Sequence, residues 1–215
     1  MGVGGVGKSA ITNRFVRGRW IAKYDPTIEE SYQKTCEVDG NVLQVEILDT
    51  AGQDIYSSLR ETFLHTGDGF LLVYSITDDQ TLEDLREIRE QIKNAHGNPN
   101  VPLIVVANKV DMAATHRAVS TAEGQQIARD FGADFLEVSA KDNTNIKTAF
   151  QTLLKSIVNN DAPSPSKSVR HSSVFGDGLQ DNSGETYNYD TNTDQTPSKE
   201  KKKKGFFAKL GCSLL

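Results

Sequence analysis

No apolar run in this chain approaches the ~18 residues that a membrane-spanning helix needs. No charged, apolar leader opens it either. Cysteine is scarce: Cys36 and Cys212 stand far apart. They offer no disulfide framework and suit a reducing compartment. The four histidines, His65, His96, His116 and His171, are scattered without metal-ligand spacing and read as surface side chains. Internal repeats are lacking. These absences exclude a disulfide-stapled secreted domain, a histidine-built metal enzyme and a membrane-spanning protein. An intracellular protein is expected.

What is present is uneven. The net charge of −5 over 215 residues hides a tail, residues 199–209, with six Lys and one Glu. The rest of the chain is correspondingly acidic, near −10. An acidic body with a basic tail suggests a tail that touches an anionic surface and argues against nucleic acid as the partner. Residues 160–198 hold six large apolar or aromatic side chains among Asn, Asp, Ser, Thr and Gly. That is too little apolar surface to offset the entropy of ordering, so 159–198 reads as a disordered linker.

Before the linker, strand and helix patterns alternate. FLLVYSI (70–76) and PLIVVAN (102–108) are almost wholly apolar, as strands covered on both faces are. DFLEVSA (134–140) is a weaker third. YQKTCEV (32–38) and VLQVEIL (42–48) flank Asp39-Gly40-Asn41, a tight-hairpin signal. Helices are expected over 8–16, 81–95, 120–132 and 145–158. Capping boxes are read at Thr81 with Asp84 and at Ser120 with Glu123, and Gly132 is a stop. The pattern implies a three-layer α/β domain with a mostly parallel sheet over residues 1–158.

Four motifs carry chemistry. Gly2 to Ser9 read G-x-x-x-x-G-K-S, a phosphate-binding loop. Backbone N–H groups from Gly4 to Lys8, Gly5, Val6 and Gly7 among them, can wrap a β-phosphate at a helix N-terminus. Lys8 would reach the β/γ oxygens and the Ser9 hydroxyl would ligate Mg²⁺. In ILDTAGQ (47–53), Asp49 could hold a Mg²⁺-bound water, the Gly52 N–H could approach a γ-phosphate, and Gln53 could orient an attacking water. Alone, that pattern fits a plain turn equally well. In NKVD, Asn108 and Asp111 flank a turn at the carboxyl end of a buried strand, where ligands bind in open α/β sheets. The Asp111 carboxylate would accept two N–H bonds from a guanine edge, a donor pair adenine lacks. In EVSAK (137–141), the Ala140 N–H could meet the guanine carbonyl.

The order GVGGVGKS, YDPTIEESY, DTAGQ, NKVD, EVSAK is similar to the Ras subfamily of small GTPases, over about residues 2–158. The resemblance implies a P-loop NTPase fold and a GTP/GDP-binding, GTP-hydrolysing switch. It implies that Thr27 ligates Mg²⁺ and the γ-phosphate, and that Lys109 lies along the base. Trp20 stands where the family usually has Phe against the base. Gly2, Ala10, Ser139 and Lys141 complete the nucleotide-binding set by their place in the motifs. Gln53, Lys8 and Thr27 form the catalytic set, and Ser9, Thr27 and Asp49 the Mg²⁺ set. A side chain at Gly4 would hinder a partner's arginine. Segments 24–32 and 52–66 would be the switches that meet exchange factor, GTPase-activating protein and effector. YDPTIEESY looks like the Ras and Rap effector segment, with Asp25, Glu29 and Glu30 presenting an acidic face. No arginine is obviously placed in cis for the transition state, so slow hydrolysis by a monomer is expected.

The last four residues, CSLL, read as a prenylation box on Cys212, with the final Leu favouring geranylgeranyl. One chain anchors marginally, and Lys199, Lys201 to Lys204 and Lys209 would be the second signal. Residues 199–215 are therefore expected to anchor the protein at the cytoplasmic face of the plasma membrane. A nuclear localisation patch is the alternative for the lysine run.

One element is missing from the pattern. A phosphate loop normally turns a buried strand into a helix, yet only Met1 precedes this one. With that first strand absent, the runs 42–48 and 70–76 are expected to lose the neighbour between them and expose apolar edges. An incomplete N-terminus, from a misplaced start or a fragment, is the expected reason, and the GTP-hydrolysing switch is then expected of the complete protein; the second functional class is a prenylated binding module that does not cycle nucleotide.

Overall fold

The computed structural model describes residues 1–20, 30–49, 58–160 and 206–214. The elements run α1 (Lys8–Arg17), β1 (Glu30–Val38), β2 (Asn41–Asp49), α2 (Ser58–Thr66), β3 (Phe70–Ser75), α3 (Gln80–His96) and β4 (Leu103–Asn108). After a 3-10 turn at Val110–Met112 come α4 (Ala113–His116), α5 (Thr121–Phe131), β5 (Asp134–Glu137), α6 (Ile146–Asn160) and β6 (Phe206–Leu214). The linker over 159–198 lies almost wholly outside the described residues.

β3, β4 and β5 form a parallel sheet in the order β3-β4-β5. Every residue of β3 and β4 is buried, and the pleat explains why. Alternate side chains point to opposite faces. Leu71, Val73, Ile104 and Val106 enter one core with Ile11 of α1 and with Phe150, Leu153 and Ile157 of α6. Phe70, Leu72, Tyr74 and Val105 enter a second with Leu85 and Ile92 of α3 and Ile127 of α5. Helices on both faces make the three layers expected. Phe15 and Phe150 stack with centroids 3.7 Å apart and tie α1 to α6.

The hairpin forms as its turn residues dictate. Asp39 and Gly40 both take positive φ, 49° and 79°, and β1 and β2 pair antiparallel from Glu30↔Asp49 to Val38↔Asn41. α5 begins with the reciprocal Ser120–Glu123 box and ends on left-handed Gly132. α3 does not use the box read at Thr81 and Asp84. Its N-cap is Asp79, which accepts from the Gln80 N–H, and the Thr81 hydroxyl accepts instead from the Ser75 N–H. Thr81 is buried against the end of β3, and that contact outcompetes a local cap.

The open edge expected beside β2 is not there. β6 pairs with β2 in parallel, in consecutive register from Leu43↔Phe206 to Ile47↔Leu210 and again at Asp49↔Leu214 after an irregularity. It also lies close to β3 and α2 without pairing with β3, so that the described strands form two three-stranded sheets, β1-β2-β6 and β3-β4-β5. Beside β3, Met1 takes one strand-like place: its ammonium donates to the Leu71 carbonyl at 2.6 Å and its carbonyl accepts from the Val73 N–H at 2.6 Å. The position beside β2 is taken by residues 206–214, a strand that the sequence did not announce, because a lysine run and a lipid box carry no strand periodicity.

The Tyr74 hydroxyl is buried and has no hydrogen-bond partner among the described residues. Tyr74→Phe removes an unpaired polar group at nearly constant volume. It is expected to leave stability unchanged or raise it by up to ~1 kcal/mol, read as the urea midpoint. A loss of more than ~1 kcal/mol would show that the hydroxyl has a partner.

Candidate functional site

The site is built at the carboxyl ends of β2, β3 and β4. The phosphate loop leaves Met1 and enters α1 at Gly7, whose φ of 93° is left-handed. A Cβ there would sit 2.4 Å from Nδ2 of Asn108, so position 7 demands glycine for space as well as for φ. Gly2 is equally confined: a Cβ would meet the Val73 carbonyl oxygen at 2.2 Å. Val6 is buried, Gly4 and Gly5 are exposed, and Ala10 is half-buried on the first turn of α1.

Lys8 is almost wholly buried, and its Nζ donates to the Val3 carbonyl at 3.0 Å. The ammonium is thus folded over the loop it belongs to. The Ser9 hydroxyl donates to Oδ1 of Asp49 at 3.1 Å. Asp49 ends β2 fully buried, and its Oδ2 has no hydrogen-bond partner among the described residues. Burial pushes the carboxyl up to about 6, against the pull of the Ser9 hydroxyl and the Lys8 charge. A buried carboxylate oxygen without a partner, beside a serine hydroxyl at a helix start, is a donor set of hard oxygens. It fits Mg²⁺, which takes few protein oxygens and keeps waters and phosphate for the rest.

The base-recognition loops are tied to the phosphate loop by one side chain. Nδ2 of Asn108 donates to the Val6 carbonyl at 2.8 Å, and its Oδ1 accepts from the Ala140 N–H at 3.3 Å. Asp111 is held from two sides. The Ser139 hydroxyl donates to its Oδ1 at 2.7 Å, and the Lys141 ammonium stands 3.9 Å from its Oδ2. Lys109 adopts φ 70°, and burial lowers its ammonium pKa while Asp78 and Asp111 oppose that shift. Trp20 stands exposed just beyond α1, at 41% of its surface.

The structure therefore brings together Lys8, Ser9 and Asp49 on one side, and Asn108, Asp111, Ser139, Ala140 and Lys141 on the other. Thr27, Gly52 and Gln53 lie outside the described residues, as do residues 24–29 and 52–57 of the two segments. Reading motifs missed Arg14. Its guanidinium donates to the carbonyls of Ala140 (2.8 Å) and Lys141 (2.5 Å), fastening α1 to the base loop. Nothing local announces this contact, because its partners lie 126 and 127 residues away.

The state of Asp49 has a measurable sign. Its folded pKa lies above the ordinary ~3.9 of an aspartate, so the native state binds more protons between about pH 4 and 6. Stability of the metal-free chain falls as pH rises through that window, and above it the full cost is present. Asp49→Asn is expected to raise the stability of the protein in EDTA at pH 7.5 by ~1–3 kcal/mol, measured by urea unfolding, while weakening Mg²⁺ binding. A destabilised variant in EDTA would contradict this account of Asp49.

Comparison with known proteins agrees with the geometry. The family model described as Ras family matches residues 1–159. A "Ras-like protein" of Laccaria bicolor is 45% identical over 157 residues, covering 73% of this chain and 75% of that protein. With the phosphate loop, the metal-side aspartate and the NKVD and SAK loops assembled on one end of a parallel sheet, the chain belongs to the Ras family of small GTPases.

Proposed function

We propose that the protein is a membrane-attached molecular switch in signal transduction, which binds GTP or GDP with Mg²⁺ and hydrolyses GTP to GDP and phosphate. The observation that carries this reading is Asn108. One amide joins the phosphate loop to the base loop, so a phosphate and a base attached to one another are the ligand such a tie would serve. Asp111, steadied by Ser139 and Lys141, accepts the two N–H donors of guanine and has nothing to accept from the corresponding edge of adenine.

Lys8 and the loop amides take the charge of the β- and γ-phosphates. Ser9, Asp49 and Thr27 would hold Mg²⁺, which supplies further charge neutralisation at the phosphates when bound. Gln53 orients the attacking water. Catalysis of this kind is positioning plus electrostatics, and intrinsic hydrolysis is expected on the order of 10⁻⁴ per second, the value for Ras itself. An arginine supplied by a GTPase-activating protein would accelerate it by roughly 10⁵. Segments 24–32 and 52–66 would change partners when the γ-phosphate leaves: exchange factor and GTPase-activating protein in turn, and effectors in the GTP state.

The tail places the switch. A geranylgeranyl group on Cys212 and the charges of Lys199, Lys201 to Lys204 and Lys209, at roughly 1 kcal/mol each on anionic lipid, would hold it at the cytoplasmic face of the plasma membrane.

The test is the nucleotide content of the full chain. Protein purified in Mg²⁺ is denatured and the supernatant resolved by ion exchange. About one guanine nucleotide per chain is expected, lost on Asp111→Ala or Mg²⁺ chelation. Folded protein that carries no nucleotide would exclude the switch and favour a lipid-anchored binding module.

A further inference from the structure

One arginine of α1 holds three carbonyls at once. Nε of Arg14 donates to the Ala140 carbonyl at 2.8 Å, Nη2 to the Lys141 carbonyl at 2.5 Å and Nη1 to the Gly18 carbonyl at 3.3 Å. The first two are consecutive peptide oxygens of the base loop, and the third belongs to the residue that caps α1. A planar guanidinium presents its donors in a fixed fork, which an ammonium on a flexible stem does not. Each grip therefore fixes the direction of the others. Arg14 also stands on the helix that opens with Lys8 and Ser9, about 9 Å along the axis from Lys8.

The grip on Lys141 continues to Asp111. The Lys141 carbonyl and the Asp142 N–H belong to one planar peptide unit. That N–H donates to Oγ of Ser139 at 3.0 Å. The Ser139 oxygen accepts there, and its own hydrogen is donated to Oδ1 of Asp111, 2.7 Å away. A donor on the carbonyl strengthens the N–H of the same unit, because successive hydrogen bonds polarise one another. Guanidinium, peptide, hydroxyl and carboxylate thus form one directed chain. The grip on Ala140 acts beside it. The Ala140 N–H is held by Oδ1 of Asn108 at 3.3 Å and its carbonyl by Arg14, so this residue is fixed at both ends.

We propose that Arg14 is a positioning residue for guanine, which aims the Asp111 carboxylate through Ser139 and holds the Ala140 N–H, and so sets how long and how selectively the base is retained. The role rests on the guanine-nucleotide switch proposed above; the fastening stands on the hydrogen bonds alone. Arg14 acts by removing freedom from the groups that meet the base. A carboxylate aimed before the base arrives gives up less side-chain entropy on binding, which favours a longer-lived complex.

The experiment is nucleotide release from the full chain, loaded in Mg²⁺ with GDP or inosine diphosphate carrying a fluorescent ribose group and chased with excess unlabelled nucleotide. Inosine lacks the 2-amino group, so it offers Asp111 one N–H where guanine offers two. Arg14→Gln is expected to release GDP roughly tenfold faster, the scale of one hydrogen bond to a charged group. It should accelerate the inosine nucleotide by less, so that discrimination between the two narrows. Arg14→Lys keeps the charge without the fork and should fall between. Unchanged GDP release in Arg14→Gln would overturn the proposal. So would equal acceleration of both nucleotides, which marks a general loosening of the domain and no aim at Asp111. Amide hydrogen exchange of the nucleotide-free chain adds a readout that needs no ligand. The Ala140 and Asp142 amides should exchange faster in Arg14→Gln while those of α3 do not change; identical exchange would overturn the fastening. A wild-type chain that binds no guanine nucleotide removes the switch and this role together, whereas GDP bound by wild type and indifferent to Arg14 removes this role alone.

Discussion

A parallel sheet buried between two helical layers cannot contain a gap. Each strand satisfies its backbone groups through its neighbours, and the helices above and below deny water as a substitute. In this protein that constraint falls on the position between β2 and β3. Two pieces of chain meet the demand from different directions. Met1 supplies one residue's worth of pairing to β3, and β6 supplies a full strand to β2. The rest depends on this. Asp49 stands at the end of β2, the phosphate loop springs from Met1, and Asn108 stands at the end of β4. Asp49 and Asn108 stand on different sheets, so what lies between β2 and β3 sets their separation.

Asn108 ties the phosphate loop and the base loop into a site. Its amide spends a donor on the phosphate loop and an acceptor on the base loop, and Arg14 adds a second fastening from α1 to the same base loop. Neither group needs to touch a ligand to matter. Both hold backbone carbonyls and amides where a ligand's phosphate and base would lie, which is the kind of preorganisation that gives electrostatic sites their strength. The cost is visible at Asp49. Its carboxylate is buried with one oxygen unpaired among the described residues, so its charged form destabilises the folded chain.

Much of this was legible in the sequence because the signals are local. The apolar runs at 70–76 and 102–108 became the buried strands β3 and β4, and Asp39-Gly40 turned the hairpin. Ser120, Glu123 and Gly132 bounded α5. The motif residues Lys8, Ser9, Asp49, Asn108, Asp111, Ser139 and Ala140 converged on one end of the sheet. The failures share a cause, competition from distant partners. Thr81 carries the sequence of a capping box but is drawn to the end of β3, leaving Asp79 to cap α3. Arg14 looks like any helix-surface arginine until the base loop is placed beside it. β6 was hidden more deeply, since KEKKKKGFFAKLGCSLL reads as charge followed by a lipidation signal.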